Sequence, residues 1–170
     1  MPSASPSARA WSTCPLRGWP RSTSCKATTS ASRASSVPVG AGRLTLAATH
    51  LTYVPGPNLT QLRVLQDRAA GRPAPRVLLG DLNLWLPVVR LASRPGWQPL
   101  LRGRTFPNLP PGQLWPAVQL DHVLLDDAEA SLRVRRTRIV ASLASDHRAA
   151  LVDLEWPEPA PARATRQGQT

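Results

Sequence analysis

The run Val77-Leu78-Leu79-Gly80-Asp81-Leu82-Asn83 constrains the fold more than any other stretch: an apolar segment that ends in a carboxylate and an amide two residues apart. With Arg76 before it and Leu84-Trp85 after it, it reads as a buried strand that surfaces at a turn. Positions i and i+2 of a strand share a face, so Asp81 and Asn83 are expected to present an acceptor-only group and an amide to one small volume. Gly, Asp and Asn are also ordinary turn residues, and a plain polar turn reads the run about as well.

Three further stretches repeat an apolar strand with a polar pair at its end. They are Leu44 to Leu51, carrying Thr49-His50; Val118 to Leu125, carrying Asp121-His122; and Ser145-Asp146-His147-Arg148 just ahead of Ala149 to Leu154. All three histidines of the chain fall in them. Taken in order, Thr49-His50-Leu51, Gly80-Asp81-Leu82-Asn83, Leu120-Asp121-His122-Val123 and Ser145-Asp146-His147-Arg148 resemble the second half of the endonuclease/exonuclease/phosphatase superfamily, the deoxyribonuclease-I-like phosphodiesterases. The resemblance runs from about Arg43 to Trp156. It implies an α/β (α+β) fold, an incomplete two-sheet β-sandwich with flanking helices.

It also implies a metal-dependent phosphoesterase, acting on nucleic acid, a phospholipid headgroup or a small phosphoester. Hydrolysis of such an ester needs an activated water, charge neutralisation at the phosphate oxygens and help for the leaving alkoxide. By resemblance, Asp81 positions and activates the water and Asn83 steadies the phosphate. Asp146, with Asp81 and Asn83, would hold Mg²⁺ or Mn²⁺, hard cations that prefer such oxygens. His147 contacts the phosphate or relays a proton, Asp121 fixes its tautomer, and His50 approaches the scissile group. His122, next to Asp121 on a strand, is expected to face the other way and to be structural. Ser145 has no nucleophile-elbow context.

A chain of 170 residues with 42% hydrophobic side chains accommodates one domain with a core. Its formal charge of +11 comes almost entirely from arginine, with Lys26 the only lysine. Such a charge suits a polyanionic partner, and equally a coding sequence rich in G and C. Residues 1–36 hold no acidic side chain and no apolar period, and are expected to be disordered or read in a shifted frame. The domain is then expected over 37–156 and a disordered tail over 157–170. Trp11 and Trp19 lack apolar neighbours, and Cys14 and Cys25 are too isolated for a zinc site. With no apolar signal region after Met1, the sequence leaves the location unknown, cytoplasmic by default. The resembled family carries a metal-binding Glu upstream, whereas the first acidic residue here is Asp67. The sequence therefore predicts a truncated, weakly active or inactive enzyme with an exposed apolar sheet face, or alternatively a basic nucleic-acid-binding fragment without catalysis.

Between the motifs, Gly40-Ala41-Gly42 suits a hairpin turn, and Asn58 a helix cap ahead of Leu59, Leu62, Leu65 and Gln66. A second helix is expected from Pro87, and Trp97 is expected to pack. Thr105-Phe106-Pro107-Asn108 and the Pro-rich loop 109–116 resemble the family's active-site rim, with Phe106 and Trp115 at least as loop anchors. Arg133, Arg135, Arg136 and Arg138 alternate partly with Leu132, Val134 and Ile139. This predicts an amphipathic strand whose basic face is solvated, or less simply follows a phosphate backbone.

Overall fold

The computed structural model describes residues 32–39, 42–108, 117–142 and 144–156. In chain order it forms β1 (Ser32–Val39), β2 (Gly42–His50), α1 (Pro57–Ala70), β3 (Arg76–Asp81), α2 (Leu86–Ala92), β4 (Trp97–Pro99), β5 (Asp121–Asp126), β6 (Arg133–Val140) and β7 (Ala149–Glu155). The first five strands make one mixed sheet of order β1-β2-β3-β5-β4, and β6 and β7 pair as a second. Among the described strands only β2 and β3 run parallel, as expected of two strands joined through a helix.

The register sorts the core onto two faces. Ala47 of β2, Leu78 of β3 and Leu124 of β5 stand in one row and pack with Leu62, Leu65 and Ala69 of α1 and Val89 of α2. The neighbouring rows, Leu46-Val77-Leu125 and Ala48-Leu79-Val123, turn to the opposite face. There Ala150, Val152 and Leu154 of β7 cover all of these but Ala48, which is exposed, with Leu100 and Leu101. Two sheets thus pack face to face with helices outside, the α+β sandwich expected. Two strands cover five incompletely: Leu44, Leu46, Leu79 and Leu125 stay half-buried. At the margin, Trp156 lies against Gly42, where a Cβ would meet its ring.

Several local expectations are corrected. Strand structure begins at Ser32 rather than near Val37, because β1 is an edge strand held by backbone pairing along the whole of β2, with Ser32 Oγ 2.9 Å from Thr49 Oγ1, and needs no apolar period. Asn58 does not cap α1. Gly56 occupies the cap with Pro57 opening the helix, while Asn58 is buried and its Nδ2 donates to the Asn83 carbonyl at 3.0 Å. Along β6 almost every residue is exposed, Val134 and Val140 included, and only Ile139 is half-buried, so the expected apolar face is not covered. The second helix does start at Leu86-Pro87, and Trp97 is buried. The expectations for residues 1–31, the 40–41 turn, the 109–116 loop with Trp115 and the 157–170 tail lie outside the described residues. No helix among those described is long and apolar enough to cross a membrane.

Candidate active site

One row of the large sheet places three of the singled-out side chains abreast. His50 ends β2, Asp81 ends β3 and Asp121 begins β5, and the register pairs His50 with Asp81 and Asp81 with Asp121. This row lies two residues beyond Ala48-Leu79-Val123, hence on the same face, toward β7. Gly80 makes the approach possible. Its φ is +139°, and a Cβ there would collide with the Thr49 backbone.

The loop before β7 brings the fourth group. His147 Nδ1 lies 2.8 Å from Asp121 Oδ2, and its Nε2 lies 4.0 Å from Asp81 Oδ2. His50 Nε2 lies 3.9 Å from the same oxygen. Asp81 Oδ2 therefore stands between two imidazole nitrogens, too far from either for a direct hydrogen bond, with room for a bridging oxygen. Phe106 packs beside His147, ring centroids 4.8 Å apart. A hollow of about 370 Å³, lined by Gly80, Asp121, His147 and Ser145 among others but not by Asp81 or His50, opens on the Asp121–His147 side of this row.

The electrostatics suit acid–base work. Burial pushes the Asp81 carboxyl above its usual range, the Asn83 backbone N–H pulls it back, and the Asp121 charge raises it further. Burial alone would lower His147, but the hydrogen bond and charge of Asp121, with the charges of Asp81 and Asp146, outweigh it and the net shift is upward. A carboxylate at 2.8 Å from Nδ1 requires the proton there, leaving Nε2 to face Asp81. His122 is the contrary case. It is buried on the helix face, with Nε2 donating to the Leu84 carbonyl at 2.8 Å and Nδ1 accepting from Gln119 Nε2 at 3.2 Å, and burial lowers its pKa despite those bonds.

Two of the expected residues are placed differently. Asn83 does not share a strand face with Asp81, because the strand stops at Asp81 and Asn83 sits at φ +49° in the turn. Its backbone N–H donates to Asp81 Oδ1 at 2.9 Å and its Nδ2 to the Leu51 carbonyl at 2.9 Å, so it orients Asp81 and pins the β2 and β3 ends together. Asp146 is exposed and acts on His147 through its charge. The donor set consequently does not fit a closed cation cage: among the described residues, no three His, Cys, Asp or Glu side chains group closely enough to hold a metal ion.

The segment Thr105 to Asn108, expected as a rim, does more than border the site. Thr105 is fully buried, and its Oγ1 accepts the N–H groups of Leu120 and Asp121, both at 3.0 Å. The Asn108 Nδ2 donates to the Ser142 and Ser145 carbonyls, and the Thr105 carbonyl accepts the Arg148 N–H at 2.8 Å. Ser145 Oγ accepts the His147 N–H at 3.0 Å. One short segment therefore fixes both Asp121 and the His147 loop. Its only signal in the sequence is a pair of polar residues in a Pro-rich surround, which does not disclose this role.

No protein-family model and no curated protein sequence matches the chain. Solved structures do. A Bacteroides thetaiotaomicron protein described as of the endonuclease/exonuclease/phosphatase family is similar at 16% identity and a TM-score of 0.52, over 66% of this chain and 48% of that one. The fold is that of the endonuclease/exonuclease/phosphatase superfamily. The same deoxyribonuclease-I-like fold relates the chain to D. rerio TDP2 complexed with a single-strand DNA product, at 17% identity, a TM-score of 0.59 and coverage of 74% of this chain and 62% of TDP2. It also relates it to the human Nocturnin catalytic domain with bound sulfate, at 16% identity, a TM-score of 0.52 and coverage of 75% and 52%. The chain spans about half to three-fifths of the length of these structures.

Proposed function

We propose that the chain is a phosphoesterase in which Asp81 is the general base. The carrying observation is the position of Asp81 Oδ2, 3.9 Å from His50 Nε2 and 4.0 Å from His147 Nε2. A carboxyl whose pKa is raised by burial is a stronger base than a free one. In this reading Asp81 takes a proton from a water as its oxygen bonds to phosphorus. The ester P–O bond breaks, and an imidazolium returns a proton to the departing alkoxide. His147, whose net pKa shift is upward through Asp121, favours the form that places positive charge at the phosphoryl oxygens, and His50 flanks Asp81 from β2. Asn83 holds Asp81 rather than the phosphate. A hard cation such as Mg²⁺ or Mn²⁺ would add charge neutralisation, but with no cage among the described residues its retention would be weak and turnover slow.

Hydrolysis of bis(p-nitrophenyl) phosphate, with and without Mg²⁺ or Mn²⁺, tests the reading. Slow turnover is expected, and Asp81→Ala or His147→Ala should abolish it. Turnover that survives either substitution, or none under any of these conditions, overturns it.

A further inference from the structure

Behind the His147 loop lies a second cleft, of about 250 Å³, that the proposed chemistry does not use. Arg102, Arg104, Arg138 and Arg148 line it, and among the described residues no carboxylate does. Arg76, Arg94 and Arg135, which do pair with carboxylates, lie outside this cleft. The Nε of Arg148 is buried without a hydrogen-bond partner, although buried N–H groups normally find an acceptor. Four arginines lining so small a cleft without a carboxylate concentrate positive charge there, which favours an anion.

The cleft is built rather than incidental. Gly103, at φ +147°, lies so close to β6 that a Cβ would come within 2.7 Å of Ile139 Cδ1, and its N–H donates to Gln119 Oε1 at 3.0 Å. This close approach sets the 102–104 segment beside β6, with Arg102, Arg104 and Arg138 lining one cleft. Arg148 follows His147 in the chain and lines both this cleft and the hollow beside Asp121 and His147. Arg148 thus links the cleft to the Asp121–His147 side of the site, the arrangement that a substrate with two neighbouring phosphates would use. Planar guanidinium forks match phosphate oxygens. Arg133 and Arg136, exposed further back along β6, extend the positive surface beyond what one phosphate needs.

We infer that the four-arginine cleft is a subsite for the phosphate next to the scissile one, and that the substrate is a nucleic-acid strand rather than an isolated phosphoester. This rests on the phosphoesterase reading for which phosphate is scissile, but the binding itself is measured separately.

The experiment compares binding of thymidylyl-thymidine, TpT, with that of its 5′-phosphorylated form pTpT by calorimetry, using the full chain, wild type and with Arg104→Gln and Arg138→Gln combined. The expected result is about tenfold or more tighter binding of pTpT, an advantage absent from the double variant while TpT affinity is unchanged. With a longer oligothymidylate, the slope of log K against log salt should shrink by about 0.7 for each phosphate that the variant no longer neutralises. Equal affinity for TpT and pTpT, or an advantage that survives the double substitution, overturns the subsite. Tripolyphosphate bound as tightly as the oligothymidylate would overturn the nucleic-acid assignment. If pTpT is preferred through these arginines yet no ester is hydrolysed, the subsite stands and the phosphoesterase reading falls.

Discussion

Replacing Gly80 by alanine asks how the row His50-Asp81-Asp121 is assembled. A Cβ at residue 80 would lie 2.9 Å from the Thr49 carbonyl carbon and closer still to its oxygen. Carbon atoms in contact sit about 3.5 Å or more apart, so β2 and β3 would have to separate by at least roughly 0.6 Å at this rung. Overpacking of this kind costs about 1–3 kcal/mol. The φ of +139° adds about 1–3 kcal/mol for a residue bearing a side chain. Together these make about 2–6 kcal/mol, against a whole-domain stability of about 5–15 kcal/mol. Gly56 supplies the control, since it too has positive φ, +90°, but nothing lies within 4 Å of its missing Cβ. Urea denaturation of both alanine variants, followed by circular dichroism, isolates the steric part. Gly80→Ala should lose at least about 1 kcal/mol more than Gly56→Ala. Any folded fraction should hydrolyse ester far more slowly, because a displacement near 1 Å costs about a hundredfold. Equal losses in the two variants would refute the claim that glycine is needed for the close pairing beside Asp81.

Thr105→Val keeps the shape but leaves the N–H groups of Leu120 and Asp121 without their acceptor, and should cost about 2–4 kcal/mol in urea denaturation. Because the folded-state pKa of His147 lies above its ordinary 6.5, its pairing with Asp121 adds stability in full below that value and loses it as pH rises through the folded pKa. Asp121→Asn should therefore bring the His147 NMR titration downward, and its stability deficit should be widest in acid and narrow toward alkaline pH. Asp81 has the opposite sign: the folded chain holds its proton more tightly than the unfolded one, so ionising it costs stability as pH rises above 3.8. Asp81→Asn, whose Oδ1 can still accept the Asn83 N–H, should be inactive yet more stable than wild type at pH 7 by urea denaturation; a less stable variant would show that burial does not dominate at this carboxyl.

The strand ends are written in the chain itself, because apolar runs that stop at Asp, Asn or His expose a polar pair wherever the sheet surfaces. His50, Asp81, Asp121 and His147 are legible for that reason, as is the burial of His122, which the alternation along β5 places opposite Asp121. Asn83 misleads because a turn residue and a strand residue look alike in one dimension, and only the φ of +49° separates them. Which strands stand side by side is settled by packing. The register that sets His50 against Asp81 and Asp81 against Asp121 comes from hydrogen bonds between segments 30 to 40 residues apart, and no local pattern encodes it. The same holds for Thr105 and Asn108, whose partners are backbone groups, and for the arginine cleft, where Arg102 and Arg104 meet Arg138 and Arg148 only after the two sheets have packed.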